Sequence, residues 1–205
     1  MEGGSWHLVD TAKIIILRKI KYSESDLVIQ GLDQRGGRLN LLARGALKSK
    51  RRFGGGVLEP THYVQVHFRR KSSGLGEGQL GFLEEAHLLE DFKGLREEYS
   101  RLETAFYFLR LVSQLSQEGD EGSVELFDLL GNALRACAES SSLSLLKVHF
   151  ELKLLHQQGV MPPDLSSLES FSRPLMQHQE IELDGQALAQ TGQQVHFVLK
   201  SYLER

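Results

Sequence analysis

Lys48, Lys50, Arg51 and Arg52 put four positive charges into five residues. The chemistry open to such a group is electrostatic, because ammonium and guanidinium donors hold phosphate oxygens without themselves reacting. The wider window from Arg35 to Lys71 holds ten Lys or Arg against one acid, Glu59, the charge pattern of a surface that follows a phosphate backbone. A solvated loop is the bland alternative for any charge run. Against it stands the asymmetry of the chain: 14 basic and 6 acidic residues up to Lys71, then 10 and 21 from Ser72 onward, all hidden inside a net charge of −3 and a pI near 6.2. Halves so different suit different partners, one of them polyanionic. The expected DNA-binding residues are Arg35, Arg38, Arg44, Lys48, Lys50, Arg51, Arg52, Arg69, Arg70 and Lys71, joined by Phe53, which stands open between stacking on a base and packing in the core.

Other chemistries find little support. No phosphate-binding Walker loop, dinucleotide glycine pattern or nucleophile elbow occurs. One cysteine, Cys137, can build neither an internal disulfide nor a multi-cysteine zinc site and reads as a small core residue. His149 and His156 lie seven apart with no cysteine nearby, so no metal and no cofactor is expected. The acid doublets Glu84-Glu85 and Glu97-Glu98 read as solvated rather than catalytic. The expectation is a binding protein, not an enzyme. No apolar run approaches the ~20 residues of a membrane span, and MEGGSWHLVD lacks the basic and apolar regions of a signal peptide, which predicts a cytoplasmic protein.

The elements that must position the basic residues are short strands. Asp10 to Lys21 is rich in β-branched and aliphatic residues, with Lys13, Arg18, Lys19 and Lys21 expected near one rim. Leu27–Leu32 follows a turn, and Gly36-Gly37 leads into a third strand at Arg38–Leu42. Gly54-Gly55-Gly56 is expected to let the basic loop flex. Tyr63 to Phe68 alternates with period two, which assigns Val64, Val66 and Phe68 to one inner face. Gln79 to Leu89 predicts a fifth strand, although Leu83–Leu89 also fits a helical period. Five short strands in about 80 residues with long basic loops predict a small closed barrel of the oligonucleotide-binding (OB) type.

From about Asp91 the pattern turns helical. Leu102, Ala105, Phe106 and Leu109 form one stripe, prolonged by Leu95 and Val112. Ser123 is the predicted N-cap of a second helix facing inward through Phe127, Leu130, Leu134 and Cys137. Leu143–Gln158 has almost no polar face and should be the buried central helix, stopped by Gly159 and Pro162-Pro163. Residues 164–185 carry a poor signal, and Gln186–Leu203 predicts a last helix. The fold class is thus α+β: residues 1–90 an OB barrel that binds nucleic acid, residues 91–205 a helical bundle with a reduced, cysteine-free C-terminal region.

Tyr22-Ser-Glu-Ser-Asp26, Arg38-Leu-Asn-Leu-Leu-Ala-Arg-Gly45 with its basic tail, Leu58-Glu-Pro60 and Val64–Arg70 occur in an order that resembles the N-terminal barrel of the RecO recombination mediators. Leu126-Phe-Asp-Leu-Leu130, Phe150-Glu-Leu-Lys-Leu-Leu155, Gly159 and Pro163-Asp-Leu165 resemble that family's second and third helices. The resemblance runs from about Lys13 to Leu165. It implies a DNA repair protein that binds and anneals single-stranded DNA, with double-stranded DNA left open, and acts with RecR to load RecA onto strands coated by single-stranded DNA-binding protein; the setting would be bacterial and nucleoid-associated. The C-terminal tail of single-stranded DNA-binding protein is acidic in that setting. Arg110, Arg135, Lys147 and Lys153 are the expected cations for it on the helical half. One departure stands out: many members carry a four-cysteine zinc motif just after the position of Asp164, where this chain reads LSSLES. An OB-fold RNA-binding factor and a non-catalytic interaction scaffold remain the alternatives, since backbone recognition alone does not separate DNA from RNA.

Overall fold

The computed structural model describes residues 8–49, 51–70, 80–118, 122–162 and 169–204. Lys50, Lys71, the SSGLGEG segment and residues 163–168 therefore lie outside the described residues, as does the start of the chain. Two compact units emerge from chain proximity: residues 1–91 with 109–127, and residues 92–108 with 128–205.

The first unit is a closed five-stranded barrel with neighbour order β1-β2-β3-β5-β4. Its strands are β1 (Leu8–Lys21), β2 (Leu27–Asp33), β3 (Arg38–Ala43), β4 (Tyr63–Arg70) and β5 (Gly81–Glu90). Long β1 pairs with β4 through its first half and with β2 through its second, bending at a register shift between Ile16 and Arg18. Closure comes from a short parallel pairing of β3 with β5, Leu41 opposite Gly81 and Leu42 opposite Phe82. Alternation fills the interior with Ile14, Ile16, Ile29, Leu39, Leu41, Val64, Val66, Phe68 and Leu83, as side chains of period two must when one face is enclosed. The ambiguous fifth segment is a strand paired along β4, and a bulge at Glu84 lets Leu83 and Ala86, three residues apart, both point into that core.

The basic residues of β1 do not share a rim. Lys13 pairs opposite Gln65 and Lys21 opposite Leu27, about 26 Å apart at ~3.3 Å per residue. Lys19 is held by Glu59 at 2.6 Å.

Residues 109–127 are tied to this barrel by Arg38. Its guanidinium donates to the Ser113 carbonyl at 2.6 Å and to Glu118 Oε1 at 3.0 Å, which also accepts from Asn40. Gly36, with φ 84°, sits so close to Ser123 that a Cβ would meet the Ser123 carbonyl oxygen at 2.1 Å.

The helices are α1 (Tyr99–Leu115), α2 (Val124–Glu139), α3 (Leu143–Gln157) and α4 (Gly185–Leu203). Ser123 Oγ caps α2 by accepting from the Leu126 amide. The buried face of α1 runs through Ala105, Phe108, Leu109 and Val112, while Phe106 is 46% exposed. The expected stripe thus had the wrong phenylalanine, because two aromatics two residues apart cannot both face inward on a helix. In the second unit Phe108 stacks on Phe150 of α3 with ring centroids 4.2 Å apart. α3 is buried along Leu145, Leu146, Phe150, Leu154 and Leu155, and Gly159 ends it with φ 68°. Cys137 is buried and burial pushes its thiol up to about 12, consistent with an inert core residue. Between α3 and α4 the described chain forms short 3-10 turns at Glu169–Ser172 and Leu175–Glu180, and Asp184 caps α4 through the Ala187 amide.

Candidate nucleic-acid interface

Three arginines from separate parts of the barrel meet on its outside around one aromatic ring. Phe82 and Arg69 are cross-strand partners on β5 and β4, and Leu42 of β3 is the partner of Phe82 on its other side. With Gly81 and Leu83 buried, alternation turns Phe82 outward, where it stays 38% exposed. Arg44, just past the end of β3, lays its guanidinium over this ring at 4.8 Å. Arg52 arrives from the β3–β4 connection and donates to the Arg44 carbonyl at 2.8 Å. Together with Leu42, Leu83 and Glu84 these residues line a groove of about 410 Å³.

The connection that delivers Arg52 is pinned rather than loose. Ala46, Phe53, Val57 and Leu58 are buried in the barrel core. Leu47 donates its amide to the Ser25 carbonyl at 3.0 Å, and the Gly45 amide donates to Asp26 Oδ1 at 2.7 Å. This ties the turn after β1 to the start of the basic segment. The Gly45 amide, followed by the Ser23 hydroxyl, holds the Asp26 carboxyl below its usual range. Gly54–Gly56, expected to let the loop flex, forms a short 3-10 turn.

Phe53 needs a correction. At 6% exposure it belongs to the core, where its ring supports the Arg52 guanidinium at 5.1 Å, so it is not a platform for a base. Tyr22, in the turn after β1, is 64% exposed, whereas Tyr63 packs edge-on against Phe127 and Phe68 lies in the core as expected.

The remaining basic residues divide by what holds them. Arg35, Lys48 and Arg51 are exposed on turns. Arg38 is committed to Glu118 and the Ser113 carbonyl, Arg70 pairs with Asp10, and Arg69 pairs through Nε with Glu84 at 2.6 Å. The structure thus gathers Arg44, Arg52 and Arg69 and leaves Arg38 inside the unit. Phe82 is the groove residue that the sequence reading missed. Its signal was present, since an inward Leu83 implies an outward Phe82, but two of its neighbours, Leu42 and Arg44, come from β3 and its end about 40 residues earlier.

The four cations expected on the helices are placed differently from one another. Arg110 and Arg135 are exposed. Lys153 donates to the Ser172 carbonyl at 3.3 Å, and partial burial lowers its ammonium pKa. Lys147 lies 4.2 Å from the Tyr107 ring centroid and lines a hollow of about 580 Å³ with Val148, Glu151, Leu188 and His196. Glu151 is 1% exposed and accepts a short hydrogen bond from the Tyr107 hydroxyl. Burial raises its pKa against that bond and against nearby Lys147. Among the described residues no group of three or more His, Cys, Asp or Glu has metal-binding geometry, and no helix is long and apolar enough to cross a membrane.

Residues 9–92 match the family model described as "Recombination protein O N terminal", and residues 96–167 match "Recombination protein O C terminal". The protein named DNA repair protein RecO from Syntrophus aciditrophicus (strain SB) is 34% identical over 147 residues, 72% of this chain and 54% of its own. Its namesake from Syntrophobacter fumaroxidans is 34% identical over 148 residues, covering 72% and 56%. That of Maridesulfovibrio salexigens is 30% identical over 165 residues, covering 80% and 64%. The chain spans a little over half the length of the first two of these relatives.

Proposed function

This chain belongs to the RecO family, and on that premise we propose that it is a DNA repair and recombination mediator whose barrel binds and anneals single-stranded DNA. The observation that carries the reading is the convergence of Arg44, Arg52 and Arg69 on exposed Phe82. Guanidinium groups neutralise phosphates, and an aromatic face beside them takes an unpaired base, a combination suited to a single strand. A paired base has both faces covered by its neighbours and cannot reach such a ring without unstacking. Annealing follows electrostatically: cations shared between two strands lower their repulsion until complementary bases pair.

Within the same proposal, residues 1–90 serve the nucleic acid and residues 91–205 a protein partner. The family setting supplies the partners, RecR and the acidic tail of single-stranded DNA-binding protein, with loading of RecA as the outcome. Lys147, at the edge of a partly apolar hollow, is the helical cation best placed to meet such a tail. The function requires no cofactor and no catalytic group.

Competition decides the ligand class. Purified protein holding a fluorescent single-stranded DNA is challenged with unlabelled DNA, RNA of the same sequence and a poly-acidic peptide. Displacement by DNA well ahead of the others is expected; preferential displacement by RNA or by the peptide overturns the reading in favour of an RNA-binding factor or a scaffold.

A further inference from the structure

We infer that Glu84 is a built-in competitor for phosphate in the barrel groove, an inference that rests on the nucleic-acid reading above. Glu84 sits at a β-bulge of β5, where the pairing with β4 steps from Leu83–Phe68 to Glu85–His67, and it lines the groove beside Phe82. Its carboxylate meets Arg69 Nε at 2.6 Å, and it is the one acidic side chain among the groove-lining residues.

The three arginines are therefore unequal. Arg44 rests on a neutral ring and feels the Asp26 carboxylate only weakly, and Arg52 donates to a neutral carbonyl, so neither is closely paired with an acid. Of the three, Arg69 is the one in a direct ion pair with a carboxylate, a group whose two oxygens guanidinium holds as it holds two oxygens of a phosphate. A phosphate entering beside Phe82 has to displace Glu84 from Arg69 and then tolerate the released carboxylate nearby. Both ends of the pair are partly exposed, 50% for Arg69 and 37% for Glu84, so the exchange needs only side-chain rotation. Glu84 thereby weakens the grip of the groove and keeps bound strand readily released, as a protein that must let go of annealed product requires.

The test compares wild type, Glu84→Gln, Glu84→Gln with Arg69→Ala, and Arg44→Ala with Arg52→Ala. Binding of a fluorescent oligothymidylate is followed across a salt series, with thermal melts to show that each protein is folded. Glu84→Gln should bind about fivefold tighter at low salt, the upper end for no longer breaking one exposed ion pair. Its log–log salt slope should steepen by up to ~0.7, because Arg69 then meets phosphate in every complex rather than only in those from which Glu84 has been displaced. Combination with Arg69→Ala should erase both gains. Unchanged or weaker binding by folded Glu84→Gln, while Arg44→Ala with Arg52→Ala still loses affinity, overturns this inference and leaves the nucleic-acid reading standing. No binding by wild type, or full binding by the Arg44/Arg52 variant, overturns that reading and the inference with it.

Discussion

Phe82 gives the proposed interface its character, because arginines alone would make any anionic surface a ligand whereas a ring among them favours a free base. Replacing Phe82 by Ala should weaken single-stranded DNA binding about thirtyfold, the middle of the ~1–3 kcal/mol that stacking contributes per base. Phe82→Tyr should retain most of the affinity, and equilibrium titration of both variants checks the pair. Individual side chains were read from the sequence with mixed success. Phe68 followed from alternation, but Phe53 did not, because nothing local says that a loop phenylalanine turns back under the barrel. Arg38 looked like its neighbours until Glu118, 80 residues away, was brought beside it. A second residue-scale consequence concerns His149, buried with Nε2 near the Phe171 carbonyl and lowered to about 4, first by burial and then by the charge of Lys153. Unfolded histidine takes its proton below about 6.5 while folded His149 resists until about 4. Its contribution is complete above 6.5 and is lost as pH falls through that window. His178, also lowered by burial, acts in the same sense, and Glu151, raised by burial, acts in the opposite one. Urea midpoints of His149→Gln between pH 4 and 7 should therefore fall less steeply on the acid side than those of wild type.

Strands and helices were the most legible level, since period two in β4 and the nearly all-apolar surface of α3 are local signals that burial then rewards. The β3–β5 pairing that closes the barrel and builds the groove was not legible, because a two-residue parallel contact across 40 positions leaves no periodicity of its own. The same holds for residues 109–127, whose first part continues α1 by pattern yet groups with the barrel by contact. Two glycines separate conformation from space. Gly159 has φ 68° and open space around it, so Gly159→Ala should cost about 1 kcal/mol, the penalty of a left-handed alanine. Gly36 adds to a φ of 84° the backbone of Ser123 at 2.1 Å from a would-be Cβ. Gly36→Ala should cost clearly more, and denaturant melts of the two variants side by side rank them. Equal losses would mean that the approach of residues 122–123 to this turn is not maintained in solution.

For the molecule as a whole the strongest sequence signal was charge, +8 up to Lys71 against −11 beyond it, and this signal marks the half proposed to bind nucleic acid without marking the proposed groove. Charge counts weight Arg38, Arg70 and Arg44 equally, whereas folding neutralises the first two with Glu118 and Asp10 and presents the third on Phe82. That the whole chain holds a single cysteine is likewise visible only in the sequence. Chelation with EDTA should leave both the melting temperature and DNA binding unchanged, and stoichiometric zinc in protein purified without added metal would contradict this. The central claim is that the barrel groove carries single-stranded DNA through its arginines. It is tested most directly by the dependence of oligothymidylate affinity on salt in wild type and in Arg44→Glu with Arg52→Glu. About five phosphate contacts give a wild-type log–log slope near −3.5, and loss of two should bring it to about −2 with much weaker binding. A folded double variant that keeps the wild-type slope and affinity would show that the strand lies elsewhere on the protein.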